Sequence, residues 1–546
     1  MRCETVIRGG DVFDGSGAPA VRASLGIDGG QVVAVARDGD AASLDGATVL
    51  DATGLAVAPG FIDLHSHSDW ILPQSDHGEI LAPLLEQGVT TIVTGNCGFS
   101  PAPVEPAGAR LLDEGSELVR DRPLAFEWRT HREFLDRLAS APLALNVAHL
   151  AGHGSIRLAV MGDRFEPARD DDVAAMATWV REAMDAGCIG LSTGLGYAPG
   201  MFAAPDELAA LGRIVAEYDG LLTSHVRAYS WVSPFFSLNP IGWRAHNLRA
   251  LDEILAVGHG AGARLQISHL IFVGRATWRT QRDAITAVER ARDDGLDVAF
   301  DTFPYTAGNT TIRVVYPPWA QHDLPHNLAS RFVRARLRAE MRVLRRLIGI
   351  DLCDIQLLHA VDPTYAGLEG RRFDEIGKLL DRDPIDAYFA VTRASAAKAR
   401  VMLFQYSGSA DDEHALRDTL VHPLNAIETD TILTKSGHHN PASFGTFPRF
   451  LGHYSRDLGL VSLATAIHKA TGLPAARARL HGRGVVREGG AADLVVFDPA
   501  TIAGPADFDA PTASPRGIRD VLMNGVAVVT AGRRTGAQPG ILLRRG

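Results

Sequence analysis

The chain has 546 residues, of which 46% are hydrophobic and 22% charged, and a net charge of -10, so it can bury a large core and is too long for one ordinary domain. The charge is dispersed, with no basic stripe to suggest nucleic acid and no run of about 18 apolar residues to span a membrane, so neither is expected as a partner. The opening residues lack the apolar core of a secretion signal, and Cys3, Cys97, Cys188 and Cys353 show no zinc-finger or redox spacing, which points to a cytoplasmic location.

In chain order, residues 4–8, 25–27 and 31–35 read as short strands between Gly-rich turns. Residues 492–498 and 521–529 repeat that grammar at the other end. Neither end is long enough to stand alone, so 1–60 and 479–546 are expected to build one small β-sandwich together. Between 61 and 478 the pattern becomes strand then helix. Apolar runs begin near 61, 90, 144, 189, 220, 264, 298 and 426, and eight βα units predict a closed, TIM-like (β/α)8 barrel, with an insertion around 309–350.

Two segments break the rhythm. Residues 229–243 carry Tyr229, Trp231, Phe235, Phe236 and Trp243, which suit either an aromatic wall over the barrel mouth or a loop packed on its neighbours. In residues 330–348, Phe332, Leu337, Met341, Leu344 and Ile348 recur at helical spacing among arginines. An insertion helix with a solvated basic face is the expected form, ahead of a membrane-surface helix.

Chemistry gathers at the strand ends. His65 and His67 close the first barrel run with small Ser66 between them, and positions i and i+2 of a strand share a face, so both imidazoles can reach one ion. Cys97, His225 and His269 each follow a later apolar run. Five nitrogen and sulfur donors at four strand ends share one explanation, a metal centre. Asp430 follows the last strand, where a carboxylate can take a proton from an activated water, and where a helix cap or a structural ligand is the plainer alternative.

His65-Ser66-His67-Ser68-Asp69, the run 95–103 around Cys97, the run 190–195, Gln266-Ile267-Ser268-His269, Pro304-Tyr305-Thr306-Ala307-Gly308 and Gly445-Thr446-Phe447-Pro448-Arg449 together resemble the N-acyl-D-amino-acid deacylases (D-aminoacylases) of the amidohydrolase superfamily. The resemblance runs over nearly the whole chain. It implies zinc-dependent hydrolysis of the C–N bond of a small-molecule amide. Cys97, His225 and His269 would hold one tight Zn2+, with His65 and His67 flanking a second, weaker position and Asp430 as the catalytic carboxylate. Many two-metal relatives bridge their ions with a modified lysine, but the first lysine here is Lys378, which leaves Cys97 as the candidate bridge. Tyr305, His153 and Arg227 are candidate substrate contacts, each with a structural alternative. Homo-oligomerisation stays open.

The sequence also departs from that family. Three residues before the Gly445 run, an arginine that would grip a substrate carboxylate is replaced by Ala442, leaving Arg227 or Arg449 as substitutes. Ser436 offers an alternative alignment for the catalytic position, and His438 and His439 are candidate substrate contacts. These departures allow a lactam, a cyclic amide or an aryl amide as substrate. A catalytically silent scaffold is the reading from another class.

Overall fold

A computed structural model describes residues 1–37, 44–120, 122–237, 243–321 and 323–545. The chain opens with β1 (Arg2–Val12), β2 (Val21–Asp28), β3 (Gln31–Arg37), β4 (Asp45–Asp51) and β5 (Ala56–Pro59). Seven strands then alternate with helices: β6 (Phe61–Asp63), β7 (Val89–Thr94), β8 (Asn146–Gly152), β9 (Gly190–Gly194), β10 (Leu221–His225), β11 (Arg264–Ile267) and β12 (Val298–Thr302). After them come β13 (Ala307–Thr311), β14 (Ile355–His359), β15 (Arg400–Phe404) and β16 (Asn425–Ile427), and the chain finishes with β17 (Leu494–Phe497), β18 (Ile518–Met523), β19 (Val526–Thr530) and β20 (Arg533–Arg534).

All eight expected barrel strands form. They pair in parallel in the order β6, β7, β8, β9, β10, β11, β12, β16, and β7, β8, β9 and β12 are buried at every position, as a parallel sheet covered on both faces requires. The ring closes at a seam. Thr429 donates to the Asp63 carboxylate from its backbone N–H (3.1 Å) and its hydroxyl (2.5 Å), and just beyond, Ser66 forms a parallel bridge with Thr431. Closure therefore sets the segment carrying His65 and His67 against the segment carrying Asp430.

The terminal strands join one continuous sheet, β20-β19-β18-β17-β5-β1-β2-β3, with β4 on the first half of β1. It encloses a core drawn from both ends, including Ile7, Leu25, Val57, Leu494 and Leu522. A polar knot fastens this sheet to the floor of the barrel. Asp493 accepts from Asn146 Nδ2 (3.1 Å) and Asn524 N (2.7 Å) and pairs with Arg483, while Asn524 Nδ2 donates to Asn146 Oδ1 (2.8 Å).

The insertion is larger than 309–350. The chain between β12 and β16 folds into an antiparallel sheet, β13-β15-β14, with its own core around Tyr316, Leu337, Leu357 and Tyr388. Its strands and helices use the same grammar as the barrel, and only their pairing separates them. The expected helix is present at Arg331–Ile348, capped by Ser330 and ended by Gly349 at φ +78°. Its inner face is narrower than the spacing predicts: Leu337 and Met341 are buried, whereas Phe332 is 73% exposed.

Candidate metal centre at the barrel mouth

Three donors meet in a tight triangle. Cys97 Sγ lies 3.7 Å from His225 Nδ1 and 3.4 Å from His269 Nε2, and the two nitrogens are 3.1 Å apart. A tetrahedral ion with bonds of about 2.0 Å to nitrogen and about 2.3 Å to sulfur needs donor separations of about 3.3–3.6 Å. The triangle fits that size. His65 Nε2 approaches the same sulfur at 3.2 Å, so Cys97 belongs both to a group with His65 and His67 and to one with His225 and His269. A third grouping joins His65 and His269 to Asp430, whose Oδ1 lies 3.6 Å from His65 Nε2 and 3.5 Å from His67 Nε2. All five expected ligands and the expected carboxylate are thus at one place.

The protonation states suit ligation. Burial, helped by neighbouring histidines, pushes the pKa values of His65 and His225 well down, and burial lowers that of His269. The imidazoles are held neutral, with lone pairs free. Burial and then the Asp430 charge raise the Cys97 thiol far above its ordinary value, a cost that a divalent cation reverses by stabilising the thiolate. At Asp430, burial pulls upward, but the hydrogen bond from His67, with the electrostatic field of the surrounding histidines, outweighs it and holds the carboxyl below its usual range.

The backbone around these side chains is unusual. Cys97, His269 and Asp430 all have positive φ, at 55°, 32° and 48°, a region that non-glycine residues enter at a cost of about 1–3 kcal/mol each. The Cys97 loop is held there by a dense set of bonds. Tyr197 donates its hydroxyl to Cys97 O (2.6 Å), Gly98 N donates to Ser192 Oγ (3.0 Å), Ser192 Oγ donates to Gly95 O, and Ser155 N donates to Gly98 O (3.2 Å). His269 is fixed by Asp301, which accepts from its backbone N–H (2.6 Å) and from Gln266 Nε2 (2.7 Å).

Other expected residues lie elsewhere in the fold. His153 is fully buried and joins Glu207 (2.8 Å), which also binds Arg157, the structural alternative to a substrate contact. Arg227 is spent on Glu253, Met201 O and Ala203 O, which removes it as a free clamp. Tyr305 is buried and donates to Ala506 O (3.1 Å) with Arg449 over its ring, so its hydroxyl is not presented to a ligand. Arg449 also donates to Pro304 O, and Ala442 is fully buried. Ser436 gives its carbonyl to Arg400, His438 contacts Phe508 O and the His439 ring lies tilted against Phe444.

Of the aromatic segment, Tyr229 alone stands on the candidate ligands, its ring 4.9 Å from that of His225 and 5.2 Å from that of His269. Trp231, Phe236 and Trp243 pack instead around His246, Arg249 and Arg279, and residues 238–242 lie outside the described residues. Two supporting residues escaped the sequence reading. Asp301 is the penultimate residue of the seventh barrel strand, near the strand end where the histidines were found. Tyr197 carries no such signal, because its role depends on a backbone carbonyl 100 positions away.

A model of the amidohydrolase family matches residues 48–529. The chain is 34% identical to the D-aminoacylase of Alcaligenes xylosoxydans xylosoxydans over 99% of its own length and 98% of the relative's. It superposes on the N-acyl-D-glutamate deacylase of Bordetella bronchiseptica, solved with zinc and a phosphonate inhibitor, with a TM-score of 0.80, 30% identity and full coverage of both chains. A D-aminoacylase structure with a binuclear metal centre gives a TM-score of 0.79 at 32% identity over 99% of this chain and all of that one.

Proposed function

The chain belongs to the amidohydrolase family, and from that premise we propose that it is a zinc-dependent deacylase that cleaves the amide C–N bond of N-acyl-D-amino acids or close analogues. The observation that carries this reading is the Cys97, His225, His269 triangle with Asp430 beside it. Cys97, His225 and His269 would hold the tight ion, and His65, His67 and the shared Cys97 sulfur offer a second position. Zinc bound there supplies a Lewis acid and an acidified water.

The protein's own part is proton movement and placement. Asp430, at 16% side-chain exposure, is open enough to meet substrate and ionised enough to accept a proton. It takes that proton at Oδ1 as the water oxygen adds to the carbonyl carbon, then gives it to the departing nitrogen as the C–N bond breaks, which yields a carboxylic acid and an amine. Four cysteines without a disulfide support a reducing, cytoplasmic setting. No helix among the described residues is long and apolar enough to cross a membrane. Residues 1–60 with 479–546 make one domain and 61–478 the other, a division supported by the terminal sheet drawing its strands from the two outer segments while all eight barrel strands lie between them.

A second reading keeps the chemistry and changes the substrate. Ala442 is buried, and Arg227 and Arg449 are both committed to protein partners, so the substrate carboxylate loses its expected bidentate partner. That favours a lactam, cyclic amide or aryl amide. Turnover of the zinc-loaded protein on N-acyl-D-amino acids, N-acyl-L-amino acids, lactams and aryl amides separates the two. Preference for the D-series supports the first reading, preference for uncharged amides the second, and no hydrolysis of any amide leaves a silent scaffold.

A further inference from the structure

The helix Arg331–Ile348 carries seven arginines and one glutamate in a chain of net charge -10. Its inner side is anchored. Leu337 and Met341 are buried, Arg338 pairs with Asp383 and Asp386, and Arg345 pairs with Asp351. At its C-terminal end, Ile348 O accepts from Ala276 N (3.2 Å) and Gly349 O from Arg275 N (3.3 Å), in the loop that follows His269. The helix is therefore a fixed ridge on the rim of the barrel.

Its outer side carries exposed apolar residues together with exposed arginines. Phe332 is 73% exposed, Val343 59% and Leu347 47%, with exposed Ala335 and Ala339 between them, a stripe of about 25 Å at the helical rise. Trp319, 39% exposed, widens the stripe beside Arg336, whose guanidinium lies 3.9 Å from its ring. Exposed Arg331 and Arg342 flank these residues and exposed Arg336 and Arg346 fall among them; Arg336 pairs with Glu340 (2.7 Å), and Arg342 and Arg346 have no acidic partner among the described residues. A large apolar stripe held in water calls for a partner.

We propose that this face docks on an anionic lipid surface. Charge decides the occupant. A second copy laid along the same helix would set arginine against arginine, whereas anionic headgroups meet the basic border while Phe332, Val343 and Leu347 enter the boundary with the acyl chains. A single exposed helix face suits a deformable bilayer. The cytoplasmic leaflet carries the required charge.

The test is cosedimentation of the full chain with phosphatidylcholine vesicles and with vesicles containing about 30% phosphatidylglycerol. Binding to the anionic vesicles is expected to be at least about tenfold stronger and to fall with salt. The triple change Phe332→Ser, Val343→Ser, Leu347→Ser and the double change Arg342→Glu, Arg346→Glu should each remove at least about tenfold of it, with bound zinc unchanged as evidence of an intact fold. Equal binding to both vesicle types, or variants that bind like the original chain, would overturn the proposal. So would an oligomer, seen by light scattering without lipid, that the same apolar substitutions dissolve, because the stripe would then belong to a second copy.

Discussion

Cys97 sits where three demands meet. Its sulfur is within 3.2–3.7 Å of His65, His225 and His269, it is buried, and its backbone is held at φ 55°. Replacing it with serine removes the soft donor shared by the two proposed metal positions, so Cys97→Ser should weaken zinc binding by at least about 100-fold, beyond what losing an outer-shell partner costs; a chelator titration checks this, and undiminished affinity would remove Cys97 from the centre. At this scale the sequence was highly legible. His65, His67, Cys97, His225, His269 and Asp430 all stand where strand ends put them, because side chains leaving one rim of a barrel have little choice of direction. For Arg227, His153 and Tyr305 the sequence left a substrate contact and a structural role both open, because their partners, Glu253, Glu207 and Ala506 O, come from helices and loops whose placement no local pattern reveals.

The loop from Gly95 to Ser100 carries Cys97, and the proposed metal site depends on its shape. Gly95 (φ +80°) faces the carbonyl of Leu150, and a Cβ at Gly98 (φ +74°) would meet Gly194 N at 2.6 Å. Gly98→Ala should therefore destabilise the protein by about 2–4 kcal/mol and loosen the metal, through strained φ and backbone collision together. Urea unfolding alongside zinc analysis measures both, and a change below about 0.5 kcal/mol, the usual range for a neutral surface substitution, would count against the tight loop. The eight strands and the basic insertion helix were readable from period and punctuation. The extent of the insertion was not, since β13, β14 and β15 alternate with helices as barrel strands do and differ only in pairing antiparallel to one another.

For the molecule as a whole, buried polar groups join parts far apart in sequence. Asp493 links the terminal sheet to Asn146 on the barrel floor and pairs with Arg483. Asp493→Ala leaves that arginine and two amides without their partner, and should cost about 3–5 kcal/mol; two separate melting transitions in calorimetry would show that the sheet and barrel had been uncoupled, and an unchanged melt would refute the knot. Lys469 lies under β16 and donates to His422 O and to Asn425 O (2.8 Å), and burial pulls its pKa down from 10.5 to about 7. Between those values the unfolded chain binds more protons than the folded one, so this lysine makes stability rise as pH goes from 7 toward 10.5. Lys469→Met should flatten that rise in Tm measured across the same window, and an unaltered slope would contradict the assignment.

The claim that joins these scales is that the centre holds zinc and that Asp430 moves the proton. Zinc content and kcat, measured together on the unaltered chain and on Asp430→Asn with the amide it turns over best, test it most directly. The account predicts the same tightly bound zinc in both proteins and a fall in kcat of about 10³-fold in the variant. A variant that keeps its zinc and still turns over at the original rate would contradict it.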